Sequence, residues 1–194
     1  MVVKPRIRRR HITPLLAILI SLTVLIGQHY GWFEQAKQTV QVNQPGLYSV
    51  TKFDDGDTIA VNMNGKVETV RFIGVDTPET HDPRKAVQCF GLAAAAFTKN
   101  LIGNNQVRLE ADPLNTNRDR YNRLLRFIYL PDGTLVNAEI IKQGYGFAVT
   151  GFPSSKIDEF RQYEKSAREN NLGLWKDCKP YIDSGGVTRS NDAP

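Results

Sequence analysis

Cysteine, histidine and methionine are scarce in these 194 residues, with two, three and two of each. Cys89 and Cys178 stand far apart, in neither zinc-finger nor CxxC spacing, so no thiolate metal site or dithiol redox motif can be written from them. His11 and His29 fall in the N-terminal leader and His81 stands alone, which leaves Ser-His-Asp catalysis and other histidine-based hydrolysis without a base. Missing too, from everything after the leader, is any surplus of positive charge. The formal net charge is +5, but Lys4, Arg6, Arg8, Arg9 and Arg10 all precede the first acidic residue, Glu34, and account for the whole excess. From Gly31 onward acids and bases balance. A basic chain normally raises the expectation of a polyanionic partner; here bulk charge lends that expectation no support, and individual residues must carry the argument. No internal repeat is visible.

The long hydrophobic run is Pro14 to Gly27, directly after the basic cluster. Its length suits a signal-peptide h-region. Ile12-Thr13 and the Tyr30-Gly31-Trp32-Phe33 end extend it to about 20 residues, the length of a spanning helix with aromatics at the interface. Two readings stay open, an uncleaved anchor and a cleaved signal; the lack of a small-x-small cleavage site favours the anchor. Both leave the N-terminus in the cytoplasm and the remainder outside, periplasmic or extracellular. The expected organisation is a basic cytoplasmic segment (1–11), an anchor or signal segment (12–33), a linker (34–45), a folded domain (46–178) and a flexible tail (179–194), disordered from Asp183. In an oxidising compartment the two cysteines suggest one disulfide; two unpaired, buried thiols are the alternative.

Within the domain, Leu47–Phe53, Thr58–Met63, Val67–Ile73, Val107–Glu110 and Leu124–Leu130 read as strands. Asn64-Gly65 is a strong hairpin signal between the second and third. Cys89–Ile102, Asn137–Gln143 and Ile157–Asn171 read as helices, with Asn137 as the expected N-cap of the second and Gly144 and Gly173 as stops. The expected fold class is α+β: a five-stranded barrel of the oligonucleotide-binding type with about three helices, preceded by the transmembrane or signal helix. That architecture names no function.

Three segments carry chemistry-bearing residues. Asp54-Asp55-Gly56-Asp57-Thr58 reads, by itself, as a turn. Asp76-Thr77-Pro78-Glu79 resembles a capping box, but no apolar helical run follows for it to cap. Taken together, Asp57 and Asp76 sit at strand ends on either side of a hairpin and can converge at one rim. Two carboxylates, a backbone carbonyl and waters are what a hard divalent cation requires, and no histidine or cysteine is spaced for zinc. The third segment is Asn117-Arg118-Asp119-Arg120-Tyr121-Asn122-Arg123, as a charge run a solvated loop. Arg123 nonetheless abuts an apolar strand, and Arg71 has the equivalent place on its own. Planar, permanently charged forks at a rim suit phosphoryl oxygens, and with a spare carboxylate the set suits phosphoryl transfer.

These segments, Asp55-Gly56-Asp57-Thr58, Val75 to Thr80 with Arg71 ahead, and Asp119 to Arg123, resemble the signature segments of the staphylococcal nuclease family. Gln143-Gly144 and Leu172-Gly173-Leu174-Trp175 are similar to its later parts, so the likeness runs from about Gly46 to Trp175. It implies a barrel of the oligonucleotide-binding type and a calcium ion held by Asp57, Asp76 and the Thr77 carbonyl. Glu79 would be general base or would position the attacking water, and Arg71 and Arg123 would stabilise the transition state. Arg120 and Tyr121 would contact substrate phosphate. The implied substrates are DNA and RNA, cleaved with little sequence preference to leave 3′-phosphates, by a monomer with no protein partner inferred. Two departures stand out. Asn122 replaces a family glycine, though asparagine tolerates the left-handed conformation. Thr150-Gly151-Phe152-Pro153 stands where tyrosines contact substrate in the best-known member. The rival reading is a binding module with the same fold and a dead site; retention of Asp57, Arg71, Asp76, Glu79 and Arg123 argues against it.

Overall fold

A computed structural model describes residues 46–80 and 86–193. The expected anchor and linker, and His81, lie outside the described residues. Among the described residues no helix is long and apolar enough to cross a membrane.

Five strands close a barrel in the order β1-β2-β3-β6-β5, with β1 Leu47–Asp55, β2 Thr58–Met63, β3 Lys66–Phe72, β5 Gln106–Glu110 and β6 Leu124–Tyr129. Neighbours run antiparallel except β3 and β6, which are parallel, with Arg71 opposite Leu125. Asn64 and Gly65 both take positive φ at the β2–β3 turn, as the Asn-Gly pair predicts. Alternation puts Val70 and Phe72 in the core while Arg71, between them, faces the rim. Ile59, Val61, Val107, Leu109, Leu124, Phe127 and Ile128 complete the buried interior.

A short strand β4 (Val75–Asp76) leaves the barrel after Gly74 and pairs with β7 (Phe147–Ala148). The helices are α1 (Gly91–Ile102), α2 (Val136–Lys142), α3 (Ile157–Glu169) and the single turn α4 (Leu174–Asp177). Phe160 and Ala167 form the buried stripe of α3, and Glu164 accepts the Ala148 amide at 3.1 Å, fixing β7. Gly144, at φ 73°, follows the end of α2, whereas α3 ends before left-handed Asn171 and Gly173 is the N-cap of α4. The two glycines let two backbones touch: a Cβ on Gly144 would lie 2.2 Å from the Leu172 carbonyl oxygen, and one on Gly173 2.3 Å from that of Gly144.

Three expectations are corrected. Helix α1 starts at Gly91 rather than Cys89, because Gln88 to Gly91 form a turn, closed by the Gly91 amide on the Gln88 carbonyl at 3.0 Å with Phe90 at φ 71°, and the Cys89 amide donates instead to the Asn191 carbonyl at 2.7 Å. Asn137 is not an N-cap: Leu135 takes that position, and Asn137 is fully buried inside α2. Its Oδ1 accepts from the Ile128 amide at 2.8 Å and its Nδ2 donates to the Ile73 carbonyl at 2.9 Å, linking β6 to the end of β3. The chain from Asp183, expected to be disordered, instead contributes to a hairpin of β8 (Tyr181–Ile182) and β9 (Thr188–Arg189). Backbone bonds from residues 191 and 193 to residues 89 and 87 then pin it against the segment before α1.

Cys89 and Cys178 form a disulfide across 89 positions of sequence, with Cα atoms 5.9 Å apart. The bond closes most of the domain into one ring. In the chain-entropy view a loop of that order contributes about 4–5 kcal/mol, an upper figure. The Cys89→Ser, Cys178→Ser double variant should therefore unfold at markedly lower urea concentration. An unchanged urea midpoint, or two titratable thiols in unreduced wild type, would contradict the pairing.

Candidate active site

The rim is built around Asp57, which is 4% exposed. Its Oδ2 accepts from the Thr77 amide at 2.7 Å and the Thr77 hydroxyl at 3.0 Å, and its Oδ1 accepts from the Thr58 hydroxyl at 3.0 Å. Gly56 permits this closeness, since a Cβ there would lie 2.8 Å from Thr77 Cγ2 and 3.1 Å from the Ala94 carbonyl carbon. Arg71, opposite Thr58 in the β2–β3 register, joins Asp57 through Nη1 and donates from Nη2 to Asp76 Oδ1 at 2.6 Å. One guanidinium thus bridges the two carboxylates that the sequence suggested would converge. Burial pushes the Arg71 pKa down, Asp76 opposes that shift, and the nearby charge of Arg123 adds to it.

Glu79 follows β4 on the loop toward α1. Its amide donates to Gln88 Oε1 at 2.8 Å and its carbonyl accepts the Gln88 amide at 3.0 Å, fastening the loop one residue before the disulfide. Its carboxylate accepts the Thr80 amide at 3.0 Å, and the Thr80 hydroxyl bonds Asp55. As expected, no helix follows the run Asp76 to Glu79 among the described residues before α1.

Arg123 is held by Asp119, a residue to which the sequence assigned no role. Asp119 Oδ1 accepts the Tyr121 and Arg123 amides, each at 2.9 Å, while Oδ2 accepts Arg123 Nε and Nη2, each at 2.7 Å. Burial pushes the Asp119 carboxyl up, but the backbone and guanidinium donors of Arg123 outweigh it and hold the group below its ordinary range. Asn122 takes φ 65°, the left-handed conformation expected where the family has glycine. Below the loop, fully buried Arg126 donates to Asn117 Oδ1 and to the Leu125 carbonyl, both at 2.6 Å, and burial lowers its pKa to about 10. In sequence Arg126 reads as one polar residue inside an apolar strand, and only its inward position shows it to be the loop's anchor. Tyr121 is 64% exposed, its ring flanked by Arg120 at 4.8 Å and Arg123 at 5.4 Å. Phe152 is the exposed aromatic of the 150–153 loop.

Also unforeseen in sequence is Arg189 of the C-terminal hairpin, which donates to Asp76 Oδ2 at 3.0 Å and to Asp183 at 3.1 Å. No local signal marks it, since its partner lies 113 residues away.

The family model described as "Staphylococcal nuclease homologue" matches residues 69–177. The chain is 36% identical to the thermonuclease of Staphylococcus intermedius over 165 residues, 84% of this chain and 96% of that protein. It is 36% identical to the thermonuclease of Staphylococcus hyicus over 160 residues, 82% of this chain and 92% of that protein. With endonuclease YncB of Bacillus subtilis it shares 41% identity over 137 residues, 69% of this chain and 64% of that protein. The chain belongs to the staphylococcal nuclease family.

The closed five-stranded barrel is the fold expected of a staphylococcal nuclease family member. This family uses calcium, and the rim can be tested for it. Among the described residues no three acidic, histidine or cysteine side chains cluster to hold a metal. What the rim provides is two carboxylates close enough to share one cation, Arg71, on either side of the Thr77 backbone. An all-oxygen set of that kind fits a hard divalent ion completed by carbonyl and water.

Because Asp119 satisfies four donors, Asp119→Ala should cost about 1–3 kcal/mol. The sign follows from its lowered pKa. The contribution is full above the unfolded carboxylate pKa and is lost as pH falls through the lower folded value. Urea unfolding of the two proteins should therefore differ at pH 7 and converge in strong acid; equal stabilities at pH 7 would refute the role.

Proposed function

We propose that this protein is a calcium-dependent nuclease that hydrolyses phosphodiester bonds of DNA and/or RNA with little sequence specificity. Nuclease activity, the hydrolysis of an ester of phosphoric acid, is what family membership carries. The calcium and the residue roles are our own reading. One observation supports it above the others: a single guanidinium, Arg71, joins both rim carboxylates.

Asp57, Asp76 and the Thr77 carbonyl would hold calcium, which when bound supplies positive charge to a phosphoryl oxygen. Glu79 takes a proton from the attacking water, or positions that water, as oxygen bonds to phosphorus. The P–O5′ bond breaks, the leaving 5′-oxygen takes a proton from solvent to become a hydroxyl, and a 3′-phosphate remains. Arg71 and Arg123 bear on the equatorial oxygens, whose charge builds in the transition state. A desolvated guanidinium is worth most there, which suits the position of Arg71. Outside this centre, Tyr121 between two arginines offers a face for a base and donors for a phosphate. Phe152 is the stacking surface left in a loop that lacks tyrosine. With the body charge-balanced, attraction for a polyanion has to come from these local cations.

Activity assays of the full-length protein on single- and double-stranded substrates, in calcium and in chelator, test this reading. Glu79→Gln should bind calcium as wild type yet lose roughly 10²–10⁴-fold in activity. Arg71→Lys and Arg123→Lys should lower kcat by about 2.7–4 kcal/mol in activation energy, and a pure KM effect would reduce them to substrate binders. Full cleavage in chelator would sink the calcium reading, and near-wild-type turnover in Glu79→Gln would remove Glu79 from the chemistry.

We also propose that the domain acts outside the cytoplasm, either membrane-anchored or secreted after cleavage. The basic cluster and apolar run of the leader support this, as does a disulfide that a reducing cytosol would not preserve. An anchored protein should stay in the membrane fraction with an intact Met1 peptide. A mature N-terminus between residues 28 and 37 would favour secretion, and an intact chain in the cytosol would refute both.

A further inference from the structure

The C-terminal hairpin reaches the carboxylate on which the proposed metal site depends, and it lies beyond the residues 69–177 that match the family model. It is pinned at both ends. Before it, Cys178 is bonded to Cys89. After it, buried Ser190 donates its hydroxyl to the Cys89 carbonyl at 2.9 Å, and the Cys89 amide donates to the Asn191 carbonyl at 2.7 Å. Between these points Arg189 has little freedom. Its Nη1 donates to Asp76 Oδ2 at 3.0 Å and its Nε to Asp183 Oδ2 at 3.1 Å. Asp183 is in turn fixed by the Gly185 and Val187 amides, each at 2.9 Å from Oδ1.

Asp76 therefore meets a guanidinium on each oxygen, Arg71 on Oδ1 and Arg189 on Oδ2. The two contacts are not equivalent. Arg71 is mostly buried and also holds Asp57, so its charge belongs to the rim itself. The Arg189 side chain is 40% exposed, reaches Asp76 through one bond, and has Asp183 as a second partner to stay with. A divalent cation approaching Asp76 meets the charge of Arg189 at contact range, where like charges repel strongly.

We propose that Arg189 is a built-in competitor of the divalent cation: it neutralises Asp76 until the ion displaces it, and the hairpin thereby sets the cation concentration at which the site fills. This rests on the calcium reading above. Arg189 acts through Asp76 and is a positioning residue. Once displaced, it remains paired with Asp183 at the edge of the rim.

The test is calorimetric titration of the full-length protein with calcium chloride, comparing wild type, Arg189→Gln and Arg189→Lys. Removal of the competing charge should tighten calcium binding roughly tenfold in Arg189→Gln. Arg189→Lys, which keeps the charge but not the fork that spans Asp76 and Asp183, should fall between. Melting gives a second readout. In chelator Arg189→Gln should melt below wild type, and saturating calcium should raise its midpoint by more than it raises the wild-type one. Unchanged or weaker calcium affinity in a folded Arg189→Gln overturns the competition and makes Arg189 an orienting or structural contact. Should that variant fail to fold, Arg189→Lys decides, because binding no tighter than wild type overturns the competition equally. No calcium uptake by wild type or variants would remove the calcium reading together with this one, whereas wild-type uptake insensitive to Arg189 removes this one alone.

Discussion

A guanidinium shared by two carboxylates organises this molecule. Asp57 is almost wholly withdrawn from water, and an unpaired carboxylate there would cost several kcal/mol. Arg71, two threonine hydroxyls and one amide together satisfy it. Those partners come from the start of β2, from β3 and from the chain leaving β4. The three segments can meet only if the β2–β3 register brings Arg71 opposite Thr58. The requirement that makes the rim fold, positive charge between one buried and one half-buried carboxylate, is a requirement that a divalent ion would also meet. Stability and chemistry therefore draw on the same electrostatic need.

Everything else at the site hangs from loops that the barrel holds by few but specific bonds. Arg126 anchors the Arg123 loop from inside the core, and Asp119 closes it from above. Gln88 fastens the Glu79 loop by two bonds beside the disulfide. Rigid strands with polar loops fixed at their ends position functional groups without making the whole structure polar. The groups proposed to meet substrate, Arg120, Tyr121 and Phe152, lie further out and are exposed. That division suits a long, variable polymer, since the reacting phosphate needs fixed geometry and the flanking nucleotides do not.

Local signals in the sequence were legible where one segment contains both cause and effect. The Asn64-Gly65 turn lies where expected, and the barrel strands match the anticipated runs to within two residues at either end. The left-handed Asn122 follows from asparagine's tolerance of positive φ. The pairing of Cys89 with Cys178 follows from a count of two and the compartment the leader implied. Polar residues inside apolar elements were misread or passed over. Asn137 looks like a cap because it opens a helical run, and becomes a cross-link only when β6 and the end of β3 lie beside it. Cys89 looks helical until the returning chain takes its amide.

By itself the sequence determined the strands, the turns, the two cysteines that pair and the acids and arginines of the rim. All of these rest on residue type and spacing within a few positions. Tertiary structure alone decided that Arg71 serves both carboxylates, that Arg126 points inward to hold the Arg123 loop, and that a tail of turn-forming residues folds back to place Arg189 on Asp76. The physical reason is distance along the chain. A hydrogen bond between residues 113 positions apart leaves no periodicity to read, and it exists only because a closed barrel and a disulfide bring the two ends to one rim.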